Sequence, residues 1–180
     1  MQQDIHKKIA ERCIQGDRNA QFELYKLYSK AMYNICYRML NHKTDAEDML
    51  QEVFTDAFTR IKTFRFDSTI GAWLKRITVN KCINEINKRK VRLDFVEEVP
   101  EILHQEEDEI VGITVDKVKS AMEKLPDGSR IIFSLFLLEG YDHEEISQIM
   151  NISPSTSKTQ YMRARLKVKE ILTTQGYERR

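Results

Sequence analysis

The amino-acid sequence predicts an all-α fold, two small helical domains joined by an acidic linker. Three observations carry this. Only 6 Gly and 3 Pro interrupt 180 residues while 32% of them are charged, a composition that favours helices with solvated outer faces. Apolar residues recur at three- and four-residue steps in every segment but one, and no alternating strand pattern occurs. That one segment, residues 93–113, holds eight acids between Asp94 and Glu109, the breaker Pro100 and no Lys or Arg. It reads as a linker between domains spanning residues 1–92 and 114–180.

The elements follow in order. A short helix from about Ile5 to Gln15 ends at Gly16, and Asp17 caps a second that carries Leu24, Leu27, Tyr28, Ala31, Met32, Ile35 and Met39 on one face. The cleanest stripe is Ala46, Met49, Leu50, Val53, Phe54, Ala57, Phe58 and Ile61, with Thr44 as N-cap and Glu47 three residues on in the capping-box position. Its opposite face bears Asp45, Asp48, Gln51, Glu52 and Asp56. After a loop at 62–67, Asp67 or Ser68 caps a helix from about Thr69 to Lys90 that turns Ile70, Trp73, Leu74, Ile77, Cys82, Ile83 and Ile86 inward. Beyond the linker, helices are expected over about Thr114–Lys124, from Pro126-Asp127 through Ser129–Leu138, and over His143–Met150, the last capped by Asp142. The turn Asn151-Ile152-Ser153 leads into a final helix, with Ser153 as cap and Pro154 at its first position, running to about Leu172.

Composition excludes several classes. No apolar run reaches the roughly 18–20 residues that span a bilayer, and the N-terminus lacks a signal-peptide core, so a cytoplasmic protein without direct membrane insertion is expected. Cys13, Cys36 and Cys82 are odd in number and sit at apolar helical positions, which implies buried thiols and no disulfide framework. The four histidines are scattered, without metal-ligand spacing to any cysteine. With no glycine-rich phosphate loop and no nucleophile elbow, neither catalysis nor a cofactor, metal or small-molecule substrate is expected.

Lys+Arg 29 against Asp+Glu 28 gives a net charge of +1, but the charge is unevenly spread. Lys75 to Arg92 carries seven basic residues against Glu85, and Lys158 to Arg180 seven against Glu170 and Glu178. The C-terminal pair of helices has the form of a helix-turn-helix, with Ser155, Thr156, Ser157, Lys158, Thr159 and Gln160 on the first turns where side chains meet base edges and phosphates. A helical hairpin with a solvated basic face would look similar. Earlier in the chain, Phe64, Phe66 and Trp73 are interleaved with Arg65, Lys75 and Arg76, which suits single-stranded nucleic acid because bases stack on rings while phosphates meet cations. Trp73 fits the core better, and Phe64 and Phe66 could serve either end.

These residues resemble a known family. Asp45 through Phe54 is similar to the segment of bacterial sigma factors that grips the RNA polymerase clamp, and Phe64 through Ile77 with Asn80 resembles the segment that melts and reads the −10 element. Leu125-Pro126, Glu139-Gly140-Tyr141, Glu145-Ile146, Thr156 to Thr159 and Arg163-Ala164-Arg165 resemble the −35-reading domain. Their order and spacing are similar to the extracytoplasmic-function (ECF) subfamily, which keeps a region 2 bundle and a region 4 helix-turn-helix, and the resemblance covers nearly the whole chain. Asn84 stands where many relatives carry Asp, Ser157 where Val is usual, and Asn151 where Gly is common; Asn tolerates the left-handed conformation of that turn.

The resemblance implies roles residue by residue. Asp45, Asp48, Gln51 and Glu52 would contact core RNA polymerase. Phe64, Arg65, Phe66, Asp67 and Ser68 would form a pocket for a base flipped from the −10 strand, and Arg76, Asn80, Asn84 and Lys88 would hold DNA just upstream. Ser155, Thr156, Lys158, Thr159, Arg163 and Arg165 would contact the −35 element of promoter DNA. The acidic linker would follow a positively lined channel of the polymerase, and an anti-sigma factor, membrane-anchored in many relatives, is the implied regulator. Two other readings stay open: a stand-alone helix-turn-helix regulator that binds duplex DNA as a dimer, and a sigma-like decoy that titrates a regulator without touching DNA.

Overall fold

Asp17 sets the start of the longest helix among the described residues by accepting backbone hydrogen bonds from Asn19 at 2.8 Å and Ala20 at 3.2 Å. In the computed structural model, which describes residues 2–89 and 114–174 with side chains from Ile5 onward, all regular structure is helical. The chain divides into two compact units, residues 1–91 and 92–180. The expected linker and the basic residues Lys90, Arg92, Arg179 and Arg180 lie outside the described residues.

The first unit comprises α1 (Gln2–Ile14), α2 (Arg18–Leu40), α3 (Lys43–Arg60), a 3-10 turn (Ile61–Thr63) and α4 (Ile70–Lys88). Its core is the shared inner face of these helices, with Leu24, Val53 and Leu74 fully buried, each stabilising by about 1.5–3 kcal/mol. Thr78 is the polar exception there, and its hydroxyl is satisfied by the Leu74 carbonyl at 2.8 Å and Met32 Sδ at 3.1 Å. Arg12 ties α1 to α2, donating to Asp17 at 2.9 Å and Glu23 at 3.2 Å; the guanidinium, with the Ala20 and Asn19 amides, holds the Asp17 carboxyl below the usual carboxylate range.

Three local expectations are corrected. Thr44 does not cap α3: His42 does, in extended conformation, its ring accepting from the Asp45 amide at 3.5 Å. Asn41, left-handed at φ 53°, ends α2 and brings the chain round so that the next residue falls at the cap. Neither Asp67 nor Ser68 caps α4; Thr69 accepts from the Ala72 amide at 3.2 Å instead. Leu27 and Ala31 are exposed, at the edge of the buried arc formed by Ala20, Leu24, Met32, Ile35, Cys36 and Met39. The three cysteines are buried and free as expected, and burial pushes the Cys13 thiol up to about 11, which keeps it unreactive.

The second unit comprises α5 (Val115–Met122), α6 (Asp127–Leu137), α7 (His143–Met150) and α8 (Pro154–Thr174). Ala121, Met122, Leu125 and Phe133 pack against Ala164, Val168 and Leu172 of α8. Asp142 and Glu145 form a reciprocal capping box at 2.8 and 2.9 Å, and Asn151 takes the left-handed conformation, φ 53°, in the turn before α8. Among the described residues no helix is long and apolar enough to cross a membrane.

Candidate nucleic-acid interface

On α4 the four-residue spacing places Arg76, Asn80, Asn84 and Lys88 on the outer surface, all exposed, opposite the buried row Leu74, Ile77, Cys82 and Ile86. Neither Arg76 nor Lys88 has an ion-pair partner among the described residues. The face is therefore an uncompensated cationic strip with amide donors and acceptors between its charges, suited to phosphates and sugar edges.

The loop before α4 separates its two phenylalanines. Phe64 is buried at 6% exposure, its ring 5.4 Å from that of Trp73. Phe66 is 38% exposed, 4.7 Å from Phe64, and adopts φ 63°, a left-handed conformation that costs a bulky residue about 1–3 kcal/mol. Together they border a cavity of ≈ 300 Å³ whose wall includes Ser68 and Thr69 from the loop and His6 and Lys7 from α1. Arg65 and Asp67 are exposed but do not line it. No sequence pattern points to His6 and Lys7, which lie about sixty residues from the loop they join.

A second surface lies on α3. Asp48, Gln51 and Glu52 line a shallow trough of ≈ 630 Å³ with Thr55, Asp56, Thr59 and Lys81. Lys81 sits 3.8 Å from Glu52 and 4.0 Å from Asp56, so the trough keeps an excess of negative charge. Asp45 does not line it; its carboxylate is engaged by Arg89 at 2.5 Å, which lowers its proton affinity. Asp56 and Thr59 extend the same helical spacing by one and two turns, the signal that would have placed them here.

The third surface is the start of α8, where Ser155, Lys158 and Arg165 are exposed and Thr156, Thr159 and Arg163 half-buried. Ser153 caps the helix by accepting from the Thr156 amide at 3.0 Å, with the two hydroxyls 2.8 Å apart. Two residues expected on this face are not there. Ser157 is fully buried, 2.9 Å from His143 Nδ1, and Gln160 is 3% exposed, accepting from the Ser129 hydroxyl at 2.9 Å. Both share the helical period of Ala164 and Val168, so geometry turns them inward and polar partners satisfy them there.

Comparison with known proteins decides the family. Residues 24–92 match Sigma-70 region 2 and residues 115–168 match Sigma-70, region 4. The chain is 30% identical over 172 residues to the ECF RNA polymerase sigma factor SigW of Bacillus subtilis, covering 88% of this chain and 92% of that one. The chain belongs to the ECF RNA polymerase sigma factors. It is also 29% identical over 152 residues to SigM of Bacillus subtilis, spanning 83% of this chain and 93% of that one. In fold it is similar to the sigma factor RpoE from Bartonella quintana, solved with the anti-sigma factor NepR, at TM-score 0.56 and 22% identity, covering 84% of this chain and 95% of that one. As an ECF sigma factor the protein directs transcription initiation at promoters. The α4 strip, the loop cavity and the α3 trough all lie on the region 2 unit, and the α8 surface lies on the region 4 unit.

Proposed function

We propose that the three surfaces divide the work of initiation as follows. The acidic trough of α3, with Asp48, Gln51 and Glu52 at its centre and Asp45 beside it, docks on core RNA polymerase. The loop cavity captures an unpaired base of the −10 strand while Arg76, Asn80, Asn84 and Lys88 hold the DNA upstream. Ser155, Lys158, Thr159 and Arg165, flanked by Thr156 and Arg163, meet the −35 element, each good base pair contact being worth about 1–3 kcal/mol.

Extruding a base costs a few kcal/mol, and stacking on an aromatic ring returns about 1–3 kcal/mol; the half-exposed Phe66 ring supplies that platform. No reacting group is needed for any step, so the protein acts by binding rather than catalysis. That work takes place on the chromosome, in the cytoplasm, and an anti-sigma factor is the regulator that family membership suggests. The observation that carries the reading is the pairing in one helical unit of an acidic trough on α3 and an exposed cationic strip on α4. A free-standing repressor needs only the α8 surface, and a decoy needs neither cationic face.

Run-off transcription with bacterial core polymerase and a library of genomic promoter fragments tests it. Defined start sites that depend on this protein are expected; no initiation on any fragment rejects the reading.

A further inference from the structure

The cavity beside the 64–68 loop has a wall that the promoter-reading segments do not supply. His6 and Lys7 belong to α1, which precedes residue 24, where the region 2 match begins. Both are held in place by contacts across the unit. His6 Nδ1 lies 2.6 Å from the Tyr28 hydroxyl, with the two rings edge to face at 5.6 Å. Tyr28 in turn lies over Gly71, where an added Cβ would fall 2.7 Å from the tyrosine ring, so a residue without a side chain at the start of α4 lets the tyrosine close on the helix. Lys7 Nζ sits 5.9 Å from the centre of the Phe66 ring, a cation–π contact that joins α1 to the strained, half-exposed aromatic.

We propose that α1 is a base-reading element: His6, positioned by Tyr28, and Lys7, poised over Phe66, form the wall of the cavity that selects the unpaired nucleobase captured there. This rests on the reading that the loop captures a base from the −10 strand. With Nδ1 engaged by Tyr28, Nε2 is the ring's remaining polar atom. An imidazole offers there either an N–H or a lone pair, and the edge of a nucleobase presents acceptors and donors in a pattern that differs for each base. Lys7 adds a cation for the phosphate beside the captured base. Tyr28 is a positioning residue, acting only through His6.

The test uses holoenzyme assembled from core polymerase and the full chain. It is mixed with single-stranded oligonucleotides carrying the non-template −10 strand of a promoter it transcribes, randomised one position at a time, and the retained pool is sequenced. His6→Ala is expected to reduce base preference at least fivefold at one position and leave the others unchanged. Tyr28→Phe, which removes only the hydroxyl and keeps the packing on Gly71, is expected to weaken preference at that same position. Phe66→Ala is expected to lower retention of the whole pool. If His6→Ala and Tyr28→Phe keep the full preference at every position, or lose retention equally for all bases, while Phe66→Ala lowers retention, α1 does not read the base and the inference fails alone. If Phe66→Ala also retains the pool as the unmodified protein does, the loop captures no base, and the inference falls with the reading beneath it.

Discussion

His143 Nδ1 lies 2.9 Å from the Ser157 hydroxyl, locking the start of α7 to the first turn of α8. Phe136 stacks on the imidazole at 4.4 Å and 15°, and Tyr161 closes its edge at 5.8 Å. Burial, reinforced by the charge of Lys158 and partly opposed by Asp142, lowers the His143 pKa from 6.5. The unfolded chain therefore binds the proton more tightly than the folded one. The stability this ring contributes is fully present above about pH 6.5 and is lost as pH falls through the lower folded-state value. NMR titration of His143 is expected to give a midpoint below 6.5, and a midpoint at or above that value would contradict the packing described.

Phe64 and Phe66 should separate by measurement as they separate in space. Phe64→Ala removes a buried ring and is expected to cost about 3–5 kcal/mol in urea unfolding. Phe66→Gly relieves a left-handed backbone and is expected to leave stability unchanged or raise it by up to about 1 kcal/mol, while capture of the −10 strand is lost. Equal destabilisation by the two would mean that Phe66 serves the core.

Gly71→Ala gains helix propensity of about 1 kcal/mol but displaces the Tyr28 ring, and overpacking costs typically about 1–3 kcal/mol. A net loss of about 0–2 kcal/mol is expected, together with the same shift in base preference as His6→Ala. Unchanged preference with a displaced tyrosine would disconnect Tyr28 from reading.

Lys158→Ala is expected to weaken binding of holoenzyme to a −35 duplex and reduce the slope of log affinity against log salt by about one. Ser157→Ala, at a buried position, should leave that slope unchanged. Titrations of duplex binding across salt concentrations check both.

How far the sequence revealed these features depended on the range of the interaction. Each helix was legible because its period is local: Ala46 to Ile61 and Ile70 to Ile86 carry their own pattern. The exposed Arg76–Lys88 row followed from the same arithmetic. Caps were less legible, because Thr44 and Ser68 are as good chemically as His42 and Thr69, and the left-handed Asn41 decides the first of them. Ser157 and Gln160 were misplaced because polar residues near a helix start suggest DNA contact, whereas their helical phase is that of the core and His143 and Ser129 satisfy them. His6 and Lys7 were invisible, since only tertiary packing of α1 against the loop brings them to the cavity.

The division of labour between docking and DNA reading is tested most directly by run-off transcription and core-polymerase binding measured side by side on two variants. Asp48→Lys with Glu52→Lys is expected to weaken polymerase binding at least tenfold and to lower transcription through that loss alone, recovered at high sigma concentration. Arg76→Glu is expected to bind polymerase as the unmodified protein does and to give no promoter-specific transcript at any concentration. If the α3 variant binds polymerase normally, or the α4 variant transcribes normally, the assignment of these two faces is contradicted.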